Sequence, residues 1–174
     1  MKWQSGSGRS LNNMDLPKRK NNRLKKYDYS TNGAYFITIC TKNRRCLLST
    51  IVGATIGRPS SVVLTSAGMA TEKAICQISS KYVAVFVDHY VIMPNHIHIL
   101  LSIQRECGRP MVAPTISTVV QQMKGYVTKI LGRNIWQKSF HDHIIRSQSD
   151  YDKIWQYIDT NPLRWEQDCF YTEE

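Results

Sequence analysis

The pattern of hydrophobic and polar positions is most strand-like between Tyr82 and Ile103. There Val, Ile, Tyr and Phe crowd both sides of a Pro94-Asn95 break, a pattern that predicts two β-strands joined at a turn. Ala34 to Thr41 is aromatic and β-branched throughout and predicts a central strand with both faces covered. Thr65 or Ser66 can cap a helix reaching about Ser79, with Ala70, Ala74 and Ile78 at helical spacing. A second helix starts at Thr115. Its apolar positions Ile116, Val119, Val120, Met123, Val127, Ile130 and Leu131 form one stripe, and Gly132 ends it. Ile135 to Ile145 reads as a further strand or extended segment leading to Arg146. A last helix, about Ser149 to Thr160, carries Tyr151, Ile154, Trp155 and Ile158; Asn161-Pro162 stops it, because a residue before proline disfavours helical geometry. Strands and helices mixed without regular βαβ alternation predict an α+β fold with an antiparallel sheet.

Two stretches stand outside this pattern. Residues near 50–62 and 105–115 are punctuated by glycine and proline, each carrying Gly-Arg-Pro, and read as surface insertions, the first a loop or short hairpin. Residues 1–26 have no sustained apolar period and add nothing to a core. The rest, 27–174, is expected to form one domain.

Charge changes the picture most at that N-terminus. The formal net charge is +10, and residues 1–26 hold eight basic side chains (Lys2, Arg9, Lys18, Arg19, Lys20, Arg23, Lys25, Lys26) against Asp15 alone. Such a run is either a solvated tail or an arm that contacts phosphates. No apolar run approaches the roughly 18 residues of a membrane span, and the basic start lacks the apolar segment of a secretory signal, so a cytoplasmic location without membrane partners is expected. Five scattered cysteines, with no Cys-x-x-Cys pair, argue against a disulfide framework or zinc knuckle.

Within the second strand of the central hairpin, His96 and His98 are two residues apart, so a period of two points both imidazoles out of one sheet face. Two converging histidines suit a metal, although histidines on a strand also serve as hydrogen-bonded core residues. On the last helix Tyr157 and Asn161 are four apart and share a face. Asn161 can offer a carbonyl oxygen to a hard cation and Tyr157 a phenolic nucleophile; equally, the pair can be a packing aromatic and a C-cap. Tyr126 is a rival nucleophile, but Ile130 occupies the position one turn on where a carboxamide would help, which favours packing or a DNA contact. His141 and His143 form a second His-x-His whose surroundings suit a DNA-facing or surface role.

Three motifs in order then carry a resemblance: Tyr90 to Leu100 with His96-Ile97-His98; Ile135-Trp136-Gln137-Lys138-Ser139-Phe140-His141-Asp142-His143-Ile144-Ile145-Arg146; and Tyr157-Ile158-Asp159-Thr160-Asn161-Pro162. Together, over about Tyr27 to Trp165, they resemble the single-tyrosine HUH transposases, most closely the REP-associated tyrosine transposase branch. The resemblance implies a ferredoxin-like, RRM-like sheet with helices packed on it. It implies His96, His98 and Asn161 as ligands of a divalent metal, Mg²⁺ or Mn²⁺, and Tyr157 as the nucleophile. The insertion-sequence branch usually has Gln where Asn161 stands, and Asn fits the REP-associated branch. The implied activity is cleavage and transfer of single-stranded DNA with hairpin structure, through a covalent 5′-phosphotyrosine, by a monomer or homodimer. Lys18, Arg19, Lys20, Arg23, Lys25, Lys26, Lys124, Arg146 and Arg164 are the candidate DNA-binding residues. The competing function is a catalytically retired single-stranded nucleic-acid binder. A zinc or histidine-triad hydrolase fits poorly, since Leu100 stands where a third alternating histidine belongs.

Overall fold

The computed structural model describes residues 28–53, 61–104 and 114–172. The basic arm, with Lys18, Arg19, Lys20, Arg23, Lys25 and Lys26, lies outside them, as do most of the two insertions.

The aromatic and β-branched segment forms β1 (Gly33–Cys40). The first insertion is framed by a two-stranded hairpin, β2 (Ser49–Val52) with β3 (Ser61–Leu64). Helix α1 (Ser66–Lys81) follows, capped by the Thr65 hydroxyl, which accepts from Gly68 N at 3.1 Å. The central hairpin is β4 (Val85–Ile92) and β5 (His96–Ile103), and α2 (Ile116–Leu131) runs from a Thr115 cap to Gly132 at φ +65, the left-handed end that glycine supplies without steric cost. Strand β6 (His141–Ile145) and α3 (Gln148–Thr160) complete the order.

The four-stranded sheet runs β4-β5-β1-β6, antiparallel throughout, which is the ferredoxin-like arrangement of a β-α-β-β-α-β chain. Alternation divides it into two faces. Tyr35, Ile37 and Ile39 of β1 and Ile97, Ile99, Leu101 and Ile103 of β5 join Ile75 and Ile78 of α1 and Val119, Val120, Met123 and Val127 of α2 in the main core. The opposite face carries His96, His98, Phe36 and Thr38, and α3 crosses it.

Two expectations need correction. Ile130 is exposed, so the α2 stripe is narrower than its apolar letters suggest. Only His141–Ile145 of the 135–145 segment is strand; Ile135, Trp136 and Phe140 are buried without ladder pairing, apart from a bridge between Thr41 and Trp136. Helix α3 ends at Thr160, as expected, but Asn161 keeps helical angles (φ −57, ψ −43) and a 3₁₀ turn, Pro162–Gln167, follows. Proline at the first position of that turn needs no N–H there, and the buried Asn161 side chain is anchored from elsewhere, so tertiary contact overrides the local preference.

No described helix is long and apolar enough to cross a membrane. Cys40, Cys46, Cys76 and Cys169 are free thiols.

Candidate active site

The register sets the site. Cys40 pairs with His96 and Thr38 with His98, so both imidazoles leave the sheet on the α3 side, near the end of the most buried strand. Their Nε2 atoms stand 3.0 Å apart. On the far side of each ring, His96 Nδ1 meets Asn95 Oδ1 and His98 Nδ1 meets Thr38 Oγ1, each at 2.9 Å. Both rings are almost fully buried. Burial pushes the His96 imidazole down to about 4, with the Asp168 carboxylate pulling it up and the Arg44 guanidinium pushing it further down. His98 is held well below its ordinary range, first by burial and then by the neighbouring His96. At neutral pH both rings are uncharged and able to donate lone pairs.

Helix α3 brings the tyrosine. Ser147 caps its first turn by accepting from Asp150 N, and two histidine–aspartate pairs tie it to both edge strands: His143 Nε2 to Asp150 Oδ2 at 2.8 Å and His89 Nε2 to Asp159 Oδ1 at 2.6 Å. Tyr157 Oη then lies 3.3 Å from His98 Nε2 and 3.4 Å from Asp168 Oδ2, and its ring meets Phe36 and His98 edge-on. Tyr157 keeps 40% of its surface exposed, so a substrate can reach it. Its phenol is pushed up to about 12, mainly by burial and then by the Asp168 carboxylate.

One turn further on, Asn161 is buried. Its Nδ2 donates to Asp168 Oδ2 at 2.8 Å, while its Oδ1 has no hydrogen-bond partner among the described residues. A buried acceptor left unpaired costs about 1–3 kcal/mol, so Oδ1 is suited to a ligand. His96, His98 and Asp168 bring their ligand atoms within 4.8 Å of one another. Two nitrogens about 2.1 Å from one octahedral cation would be about 3.0 Å apart at a right angle, and the imidazole pair has that spacing. The donor set of two imidazoles, a carboxamide oxygen and a carboxylate fits Mg²⁺ or Mn²⁺ and other first-row cations.

Asp168 and its neighbours carried no signal in the sequence. The segment after the 3₁₀ turn folds back over the histidines: the Phe170 ring lies 4.7 Å from His96, and the Arg44 guanidinium sits over the same ring at 5.1 Å. Arg44 Nη1 donates to Cys169 O at 3.1 Å. Asn43 and Arg44 both adopt left-handed angles (φ 58 and 54), an arrangement costing non-glycine residues roughly 1–2 kcal/mol each. It presents the Arg44 carbonyl to Asn95 Nδ2.

The other candidates fall elsewhere. Lys124 Nζ donates to Gln137 O and Ser139 O, both at 2.9 Å, which braces the 135–140 segment and leaves one donor for a phosphate. Arg146 and Arg164 are exposed. Tyr126 packs against the core on the other face, near Gln77 of α1. His141 is exposed, and His143 is committed to Asp150. Trp155 stacks on His89 at 4.3 Å, and Trp165 lies 6.0 Å from His96.

No family model matches the sequence. An uncharacterised protein of Haemophilus influenzae is 32% identical over 181 residues, spanning 92% of this chain and 97% of that protein. The REP-associated tyrosine transposase of Escherichia coli K12 is 26% identical over 137 residues, 78% of this chain and 70% of the relative. The solved structure of a REP-associated tyrosine transposase bound to a REP hairpin shares the fold with a TM-score of 0.60 at 24% identity, over 82% of this chain and 74% of that one. The chain is thus similar in sequence to a REP-associated tyrosine transposase and shares the fold of a solved one.

Proposed function

We propose that the protein cuts and transfers single-stranded DNA next to a REP-type hairpin, through a covalent bond between Tyr157 and a 5′-phosphate. One observation carries this reading: the hydroxyl of the partly exposed Tyr157 sits 3.3 Å from one member of a buried, neutral imidazole pair. The hairpin partner is suggested by the related structure, which is bound to a REP hairpin.

In the reaction, Tyr157 Oη forms a bond to the scissile phosphorus as the bond from phosphorus to the 3′ oxygen breaks, and that oxygen leaves as a 3′-hydroxyl. One phosphodiester replaces another, so no nucleotide triphosphate is needed and the step can run backwards to rejoin strands. Because the phenol ionises near 12, Tyr157 holds its proton until attack, and Asp168 Oδ2 at 3.4 Å is positioned to accept it. His96, His98 and Asn161 would hold a divalent cation, Mg²⁺ or Mn²⁺, which supplies Lewis-acid polarisation of a phosphoryl oxygen. The described site draws its tyrosine and its histidines from one chain, which suits a monomer. The basic arm and the exposed Arg146 and Arg164 are assigned to the DNA backbone.

The test is incubation of the protein with a single-stranded oligonucleotide carrying a repeat hairpin, with Mg²⁺ or Mn²⁺. Metal-dependent cleavage is expected, lost in Tyr157→Phe while binding is kept. Tight binding without cleavage under any divalent cation would favour the retired binder instead.

A further inference from the structure

Asn95 is fully buried at the turn before β5, and its amide orientation is fixed by its surroundings. Its Nδ2 faces the carbonyl oxygens of Phe170 at 2.8 Å and Arg44 at 3.2 Å, with Thr172 Oγ1 at 3.3 Å. Backbone carbonyls only accept hydrogen bonds, so the NH₂ group must point there. Oδ1 is therefore the atom 2.9 Å from His96 Nδ1, and that nitrogen must carry the imidazole proton. The Nε2 lone pair of His96 is left aimed at His98 Nε2, 3.0 Å away.

His98 is held differently. Its Nδ1 meets a hydroxyl, Thr38 Oγ1 at 2.9 Å, and a hydroxyl can either donate or accept. Facing a fixed lone pair, and with the nearby Tyr157 hydroxyl donating to Asp168, His98 Nε2 carries a proton that bonds to His96 when no cation is bound and presents a lone pair when one is.

We propose that Asn95 and Thr38 are positioning residues with unequal tasks: Asn95 locks His96 as the Nδ1–H tautomer, and Thr38 lets His98 change tautomer when a cation loads. On loading, the proton leaves His98 Nε2 through solvent, Nδ1 is protonated in exchange, and the Thr38 hydroxyl turns from donor to acceptor. Because the same Asn95 amide holds Phe170 and Thr172, docking of the C-terminal segment and cation affinity are coupled. The cation half of this inference rests on the proposed function; the His96 tautomer does not.

The test is long-range ¹H–¹⁵N NMR of the histidine-labelled full chain at neutral pH, in chelator and with Zn²⁺ as a diamagnetic probe, alongside Mn²⁺ binding followed by electron paramagnetic resonance. His96 is expected as Nδ1–H in both conditions, and His98 as Nε2–H in chelator and Nδ1–H with Zn²⁺. Asn95→Ala should mix the His96 tautomers and weaken Mn²⁺ binding roughly 10- to 100-fold. Asn95→Asp keeps the acceptor while losing the NH₂ donors, so it should retain Nδ1–H at His96 even if the C-terminal segment loosens. Equal tautomer populations in the Ala and Asp variants, or a wild-type His96 found as Nε2–H, would overturn the proposal. Failure of the wild type to take up any cation would remove the cation reading while the chelator spectra still decide the tautomer.

Discussion

Two neutral imidazoles buried side by side make the protein's stability sensitive to mild acid. His96 is pushed from an ordinary 6.5 to about 4, so the folded state resists a proton that the unfolded chain accepts readily. The stabilisation is complete above about 6.5 and is lost as pH falls through the window from 6.5 towards 4; below that, the folded state is protonated as well. A shift of that size at about 1.4 kcal/mol per unit is about 3 kcal/mol, undiminished by solvent screening because the ring is fully buried. His98 acts in the same direction. For a chain of this size the loss corresponds to a melting temperature lower by roughly 6–12 °C. Thermal melts in chelator at steps across this window measure it, with His96→Asn, His98→Asn as the control that removes the imidazoles and leaves every carboxylate. Wild type should fall more steeply than the control, and Mn²⁺ at a hundred times its Kd should raise wild type alone, by about 2.7 kcal/mol. Parallel curves for the two proteins would refute the reasoning.

Other consequences are as specific. A Cβ on Gly68 would lie 2.0 Å from the Leu48 carbonyl oxygen, which also receives Thr65 N, so Gly68→Ala should cost on the order of 3 kcal/mol in urea denaturation; a change below about 0.5 kcal/mol would show that the α1 end is free to shift. Asp168→Asn removes a carboxylate that raises the Tyr157 phenol, so ultraviolet titration should place Tyr157 ionisation below its wild-type value; an unchanged or higher value counts against the contact. Deleting residues 1–26 should weaken single-stranded DNA binding and flatten its dependence on salt, whereas an unchanged salt slope would leave the arm a passive tail.

Much of this organisation was legible because local pattern and tertiary role agree. Crowded β-branched and aromatic residues around Pro94-Asn95 gave the hairpin, the two-residue spacing of His96 and His98 gave their shared face, and helical spacing put Tyr157 and Asn161 together. What escaped was written in residues whose local explanation sufficed. Asn95 reads as a turn residue beside proline, which hides its hold on His96. Asp168 and Phe170 follow a proline expected to end the helix, in a stretch without periodicity, and only the return of the chain over the sheet brings them to the histidines. Position alone offered a clue to Asn95, which directly precedes the pair. Lys124 reads as a phosphate contact on charge alone, and only the structure shows that its Nζ also holds two backbone carbonyls. Trp155, assigned to the apolar side of α3, lies against an edge-strand histidine and stays partly exposed.

The most direct measurement is peptide mapping of the adduct formed with a hairpin-bearing single strand in Mn²⁺. A nucleotide-modified peptide with the phosphate on Tyr157, absent when His96 and His98 are replaced by Asn, is the predicted result. Modification at Tyr126 or any other residue, or an adduct that survives in Tyr157→Phe, would contradict it.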